Sequence, residues 1–251
     1  MTITIIGGGI IGLTTAFELT ERGESVHLID AETSDYGTAA DGTVIYPAAS
    51  HYAGGMLAPI AEVQFQQDAL FPLMTASADA YPSLMGRLSR ATDLPTGYDT
   101  TGTLIVAADR ADAEHLQRTR AYYRDMNRPA DPVTPTQART LEPLLAPRIA
   151  GAVSIPSDHQ LHPRLMRRAL KDALTRRGVT FSTERVTDPD AGDIICTGLG
   201  ATLHGDYPLR PVYGDILRLR APRPILKHVV RGYVNSRPVY LIPRPDGELC
   251  I

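Results

Sequence analysis

Residues 2–30, TITIIGGGIIGLTTAFELTERGESVHLID, decide how this chain folds. Thr2 to Ile6 form a short β-branched run and three glycines follow. From Ile10 to Glu21 the apolar residues Leu13, Ala16, Phe17 and Leu19 recur at helical spacing. The order is strand, tight turn, helix. Gly7, Gly9 and Gly12 fit G-x-G-x-x-G. The first glycine permits the turn, the second lets main chain approach a pyrophosphate, and the third allows close packing of helix on strand. The helix start offers free N–H groups and a partial positive charge to phosphates. A second strand, Ser25 to Ile29, ends on Asp30, where a carboxylate can accept the hydroxyls of an adenosine ribose. Glycine-rich turns are common, but strand, helix and terminal acid at the expected spacing make this a dinucleotide-binding opening. The motif does not choose between FAD and NAD, and the acid disfavours only a 2′-phosphate.

The remaining composition narrows the class. The chain has 251 residues, 43% of them hydrophobic, enough for a sizeable core in one large or two ordinary domains. Net charge is −3 with no long run of one sign, so attraction to nucleic acid or anionic membrane is not expected. The most basic stretch, RRALKDALTRRG, carries apolar residues at helical spacing, and its arginines read as the wet face of a packed helix. Cys196 and Cys250 lie in strand-like apolar settings and read as buried thiols of a reducing cytoplasm. Neither a secretion leader nor a membrane span is visible, which places the expected location in the cytoplasm.

Further along, ASHYAGGMLAP (49–59) puts Gly54 and Gly55 beside Met56, where a cofactor ring can approach main-chain N–H groups, and Ser50 can hydrogen-bond a phosphate or ribityl group. Together with GGGIIGL and the acid ending the second strand, this segment resembles the glycine oxidase branch of the D-amino-acid oxidase family. Later segments follow in the family's order: LEPLLAPRIAGAVSIPSDHQLHPRLMRRAL (141–170), DIICTGLGA (193–201), PVYGDILRLRAP (211–222) and VYLIPRPDG (239–247). The resemblance covers nearly the whole chain. It implies FAD contacts at Gly7, Gly9, Ile10, Ile11, Gly12, Asp30, Ala31, Ala49, Ser50, Gly54, Gly55, Met56, Val186, Thr197 and Gly198. Val186 rests on position alone, in a strand expected near the adenine. Residues 35–48, DYGTAADGTVIYPA, make a longer link than the family pattern, and Asp41-Gly42 suits the turn of a small hairpin.

The expected fold is α/β: a Rossmann-type FAD-binding domain of residues 1–60 and 142–205, and an α+β substrate domain of 61–141 and 206–251 on a mostly antiparallel sheet. Residues 66–94 read as one or two helices, with Pro72 and Pro82 starting or interrupting them. Residues 101–108 read as a strand, 109–126 as a helix burying Ala113, Leu116 and Tyr123, and 163–178 as a helix with Pro163 at its first position. Strands VTF, DIICT, VYGDILRL, KHVVRGYV and PVYLIP fill the final third.

The resemblance places Tyr240 at the active-site tyrosine, whose hydroxyl helps close a substrate pocket. By alternation alone Tyr240 is an ordinary half-buried strand tyrosine. The reaction implied is oxidation of glycine, or of another small amine such as sarcosine or D-alanine, with O₂ as acceptor and peroxide as product. The imine either hydrolyses or passes to thiazole synthase in thiamine synthesis. A homo-oligomer is left open. The family's carboxylate-gripping arginine comes from a tryptophan-glycine-x-arginine-proline segment after the hairpin that follows Tyr240. This sequence lacks tryptophan, so more of the fold is expected beyond Ile251. Arg231, Arg237 and Arg244 are expected in exposed roles only. His159-x-x-His162 lacks the ligand set of a metal site. Competing readings are an oxidase or dehydrogenase for another D-amino acid or secondary amine, an NAD-dependent dehydrogenase, and a non-catalytic flavin-binding fragment.

Overall fold

The computed structural model describes residues 1–31, 37–38, 44–45, 49–63, 69–186, 188–198, 209, 212, 214–234 and 237–251. In chain order these form β1 (Thr2–Ile6), α1 (Ile10–Glu21), β2 (Ser25–Ile29), β3 (Gly37–Thr38), β4 (Val44–Ile45), α2 (Ala49–Tyr52), β5 (Met56–Leu57), α3 (Pro59–Glu62) and α4 (Phe71–Ala91). There follow β6 (Thr103–Ala107), α5 (Arg110–Asp125), β7 (Asp131–Val133), α6 (Pro135–Leu141), β8 (Gly151–Ile155), β9 (His159–Gln160), α7 (Pro163–Arg176) and β10 (Thr180–Ser182). The last strands are β11 (Ile194–Ile195), β12 (Arg218–Arg220), β13 (Val229–Val234), β14 (Arg237–Pro243) and β15 (Glu248–Cys250). They divide into two compact units, one of Met1–Ala53, Met85–Thr96 and Pro163–Asp215, the other of Gly54–Leu84, Gly97–His162 and Ile216–Ile251.

The first unit is the Rossmann-type half. Its described strands form a parallel sheet in the order β10-β2-β1-β11, with β1 and β2 in register from Thr2↔Ser25 to Ile6↔Ile29. A parallel sheet suits strands buried on both faces, and Ile5, Ile6, Leu28 and Ile29 are all buried. Helix α1 buries Gly12, Leu13, Ala16 and Phe17, and packs against α7. Helix α7 in turn buries Met166, Ala169, Leu170, Ala173 and Leu174, an i, i+3, i+4 stripe. Each leucine so enclosed stabilises the fold by about 2 kcal/mol relative to an exposed one. Strands β3 and β4 pair antiparallel as the expected small hairpin requires. Its Asp41-Gly42 turn lies outside the described residues.

The second unit is the α+β half. Its described strands make a sheet in the order β12-β15-β14-β13-β6-β8-β7, antiparallel at every pairing but β13 with β6. Helix α5 starts on Asp109, whose carboxylate accepts the Asp112 N–H at 2.9 Å. It buries Leu116 and Tyr123 in one cluster with Ile105, Val153 and Ile155. Helix α6 opens with a capping box between Thr134 and Gln137. Strands β14 and β15 are joined by the Pro-Asp-Gly turn. The Gly247 N–H donates to the Arg244 carbonyl at 3.1 Å and the Arg244 N–H to the Glu248 carbonyl at 2.8 Å. Gly247 sits at φ +85°, where a Cβ would also strike the Ala221 carbonyl.

Several expectations need correction. Helix α4 runs unbroken through Pro82, since a proline removes a single helical N–H and the flanking turns continue the ladder. The VYGDILRL strand shrinks to Arg218–Arg220. Residues 142–162 fall in the sheet unit because β8 pairs with β6 from Thr103↔Ile155 to Ala107↔Gly151. Residues 85–96 fall in the nucleotide unit, tied by Arg87 to Glu18 at 2.9 Å and by Thr92 to Asp172 at 2.5 Å. Val186 is described but lies four residues past the end of β10, outside any strand.

Candidate functional site

In the first unit the glycine turn, Asp30, Ser50 and Thr197 come together. Gly7 lies at φ +107°, its N–H donates to the Ile29 carbonyl at 2.7 Å, and a Cβ there would enter the Cys196 carbonyl. Cys196 is drawn in by its own N–H, which donates to the Ile6 carbonyl at 2.7 Å. That brings Thr197 and Gly198, at φ +58°, to the carboxyl end of the parallel sheet, where ligands bind in such folds. Gly12 is required because a Cβ would strike the Gly7 carbonyl. Gly8, an unspecified position in the motif, must also be small, since a Cβ would meet the Asp30 carboxylate.

Gly9 differs. It has φ −69°, open to any residue, and among the described residues a Cβ would meet only the Ser50 Oγ, at an ordinary 3.6 Å. Nothing described in the protein fills the space over Gly9, which leaves room there for a ligand to approach the main chain. Two further features fit a nucleotide there. The Ser50 Oγ accepts the Ile10 N–H at 3.0 Å, which leaves its own O–H to donate. The Thr197 Oγ1 is buried and has no hydrogen-bond partner among the described residues. Donors of this kind, with a helix N-terminus and Asp30 beside the turn, suit a pyrophosphate and ribose.

Of the other residues carried over in this unit, Ile10 reaches the same place through its N–H on the Ser50 Oγ. Ile10, Ala31 and Val186 are half-buried, whereas Ile11 and Ala49 are exposed. Two residues were missed by sequence reading. Arg167 donates to the Gly8 carbonyl at 3.3 Å and Arg164 to the His51 carbonyl at 3.2 Å. Arg167 opens the stretch read above as a wet face and Arg164 lies one turn before it, and the signal available was that spacing beside His162-Pro163.

In the second unit Gly54, Gly55 and Met56 precede α3. Gly55 lies at φ +83°, and a Cβ on Gly54 would strike Ile242 Cδ1. Met56 and Tyr240 both pack on the cluster of Val229, Ile242 and Cys250. Tyr240 is half-buried and stands directly across the β13–β14 ladder from Arg231. Directly opposed residues share a face of the sheet. The Arg231 Nη1 donates to Glu62 at 2.8 Å and lies 3.9 Å from the Met56 Sδ. A cavity of about 310 Å³ opens beside Met56, lined by Pro59, Glu62, Met74 and Tyr81.

Three charged groups in this unit are enclosed, and for Arg244 and Arg231 this corrects the exposed roles expected from sequence. Asp158 is fully buried, and its carboxylate accepts the Ala61 N–H at 2.9 Å and the Ile60 N–H at 3.3 Å, capping α3 from a distant segment. Burial pushes its pKa up to about 7, against the pull of those two amides and of Arg231. Arg244, expected on the surface, is 3% exposed. It donates to the Gly54 carbonyl, to the Leu161 carbonyl at 2.9 Å and to the Gln160 Oε1 at 3.0 Å. Arg231 is also largely enclosed, while Arg237 is exposed as expected. His159 hydrogen-bonds the Tyr98 hydroxyl at 2.8 Å, and His162 lies 3.9 Å from Glu248.

No helix among the described residues is long and apolar enough to cross a membrane. The chain is 28% identical to the glycine oxidase of Geobacillus kaustophilus over 273 residues, which cover 99% of this chain and 68% of that protein. It is 26% identical to the bifunctional protein ThiO/ThiG of Nostoc sp., covering 99% of this chain and 39% of that one. The crystal structure of glycine oxidase from Geobacillus kaustophilus superposes with a TM-score of 0.79 at 27% identity, covering 99% of this chain and 69% of the other. The FAD dependent oxidoreductase (DAO) family model matches residues 2–251, and the chain belongs to that family.

Proposed function

We propose that this chain oxidises a small amino acid, glycine foremost, to the imine with O₂ as electron acceptor. The observation that carries the reading is the space over Gly9, which nothing described in the protein fills, in a chain of the FAD-dependent family. Gly7 to Gly12, Asp30, Ser50 and Thr197 would hold the pyrophosphate and ribose of FAD. When bound, FAD would supply the redox chemistry, as acceptor of a hydride from the substrate α-carbon and donor of two electrons to O₂. The neutral substrate amine would lose one N–H proton to water as the C=N bond forms, and hydrolysis of the imine would then release ammonia and the 2-oxo acid. Tyr240 orients the substrate through its hydroxyl, and the apolar wall beside it excludes water. The similarity to a bifunctional ThiO/ThiG protein supports delivery of the imine to thiazole synthase.

The test is to load the protein with FAD and measure peroxide with glycine, sarcosine and D-alanine. Turnover of glycine is expected. Peroxide from a bulkier amine alone would overturn the substrate assignment, and a colourless protein that binds NAD would overturn the flavin.

A further inference from the structure

Arg244 is a buried cation whose Nη groups donate to two carbonyls and an amide oxygen, with the Cys250 thiol also against it, while its buried Nε has no partner among the described residues. Enclosing a guanidinium costs several kcal/mol unless its donors are used well. Here the two Nη groups converge on one place. One nitrogen binds the Gly54 carbonyl, and another binds both the Leu161 carbonyl and the Gln160 amide oxygen. Leu161 closes the loop by donating its N–H to the Gly55 carbonyl at 2.9 Å, beside the β5–β9 pair Met56↔Gln160. Gln160 relays the charge outward, its Nε2 donating to Asp99 at 3.2 Å. The short segment Gly54–Met56 has two glycines, so the charge-assisted bond to the Gly54 carbonyl and the Leu161 N–H on the Gly55 carbonyl help to set its shape.

We propose that Arg244 is a positioning residue which, by gripping the Gly54 and Leu161 carbonyls, holds the main chain of Gly54–Met56 in the conformation that receives FAD. The proposal rests on the flavin reading above. The test compares wild type, R244M, R244K and E142Q by hydrogen exchange and by FAD titration followed through the flavin absorption spectrum. Glu142 anchors the start of β13 through the Lys227 and His228 amides, without touching Gly54 or Leu161, and serves as the structural control. In R244M, peptides covering 53–57 and 159–161 are expected to exchange about tenfold faster while those covering 226–230 are unchanged. FAD affinity should fall about tenfold with a shifted flavin band. R244K, with one compact ammonium, should fall between. E142Q should show the reverse exchange pattern with an unaltered flavin spectrum.

Equal acceleration everywhere, or a folded R244M or R244K with wild-type exchange at 53–57 and a wild-type spectrum, would overturn the proposal. If R244M does not fold, R244K decides by the same criteria. A wild type that takes up no FAD while R244M still loosens 53–57 would sink the flavin reading and uphold the grip on Gly54.

Discussion

The Ser50 hydroxyl oxygen accepts the Ile10 N–H at 3.0 Å, so a residue 40 positions downstream caps a helix whose own N-cap, Gly9, has no side chain. Replacing Ser50 by alanine removes the cap, and chemical denaturation should show a loss of about 1 kcal/mol. The same change deletes the hydroxyl donor over the turn. FAD affinity should therefore fall by more than the stability loss explains.

The two glycines flanking that cap should respond in opposite ways. Gly12→Ala drives a methyl into the Gly7 carbonyl and is expected to cost about 3 kcal/mol of stability, by overpacking. Gly9→Ala has room and an ordinary φ, so its melting temperature should stay near wild type, within about 0.5 kcal/mol. Isothermal titration should show that it has lost FAD. A Gly9→Ala protein that binds FAD normally would remove the argument from the space over Gly9.

Asp158 gives the stability curve a slope of unusual sign. Its folded pKa, about 7, lies above the ordinary aspartate value of 3.8, so between those values the folded state holds a proton that the unfolded state has released. Stability on this account falls as pH rises from about 4 to about 7, by about 4 kcal/mol at about 1.4 per unit, and is level above. Urea midpoints across that range should fall for wild type. In D158N this component should vanish.

Glu142 contributes the opposite slope. Burial raises its pKa, but hydrogen bonds from His228 and Lys227 outweigh that and leave it below the ordinary carboxylate value. Its contribution is present above the unfolded pKa and lost as pH falls through the folded one. Glu142→Ala strands the Lys227 and His228 amides and the His228 ring, all within 2.9 Å, and should cost about 3 kcal/mol.

Tyr240→Phe tests the substrate half. Its ring packing on the Val229, Ile242 and Cys250 cluster is retained, so folding should be unchanged. Loss of one oriented hydroxyl should lower kcat/KM for glycine about tenfold, or about 1.4 kcal/mol. Unaltered kinetics would return Tyr240 to a packing role.

The first thirty residues announced their own structure because period and turn chemistry agree there: β1, the Gly7 turn, α1 and β2 follow the sequence pattern closely. The Pro-Asp-Gly hairpin was legible for the same local reason. What escaped depends on distant partners. Pro82 looks like a breaker until twenty neighbouring helical residues outvote it. Arg244 looks like a surface residue because nothing nearby in sequence reveals the Gly54 and Leu161 carbonyls. Gly8 carries a steric reason that only the approach of Asp30 exposes. Domain boundaries drifted because β8 and the 85–96 segment take their allegiance from pairings dozens of residues away.

The parallel sheet also sets a clock on the ribosome. Its two inner strands, β1 and β2, are complete by Ile29, yet the strands that cover their open edges begin only at Thr180 and Ile194. At ordinary synthesis rates that leaves two apolar strands with unpaired edges for about 10 to 30 s. The nascent chain must therefore be shielded through that interval, and slow codons between the two halves would lengthen its exposure to aggregation.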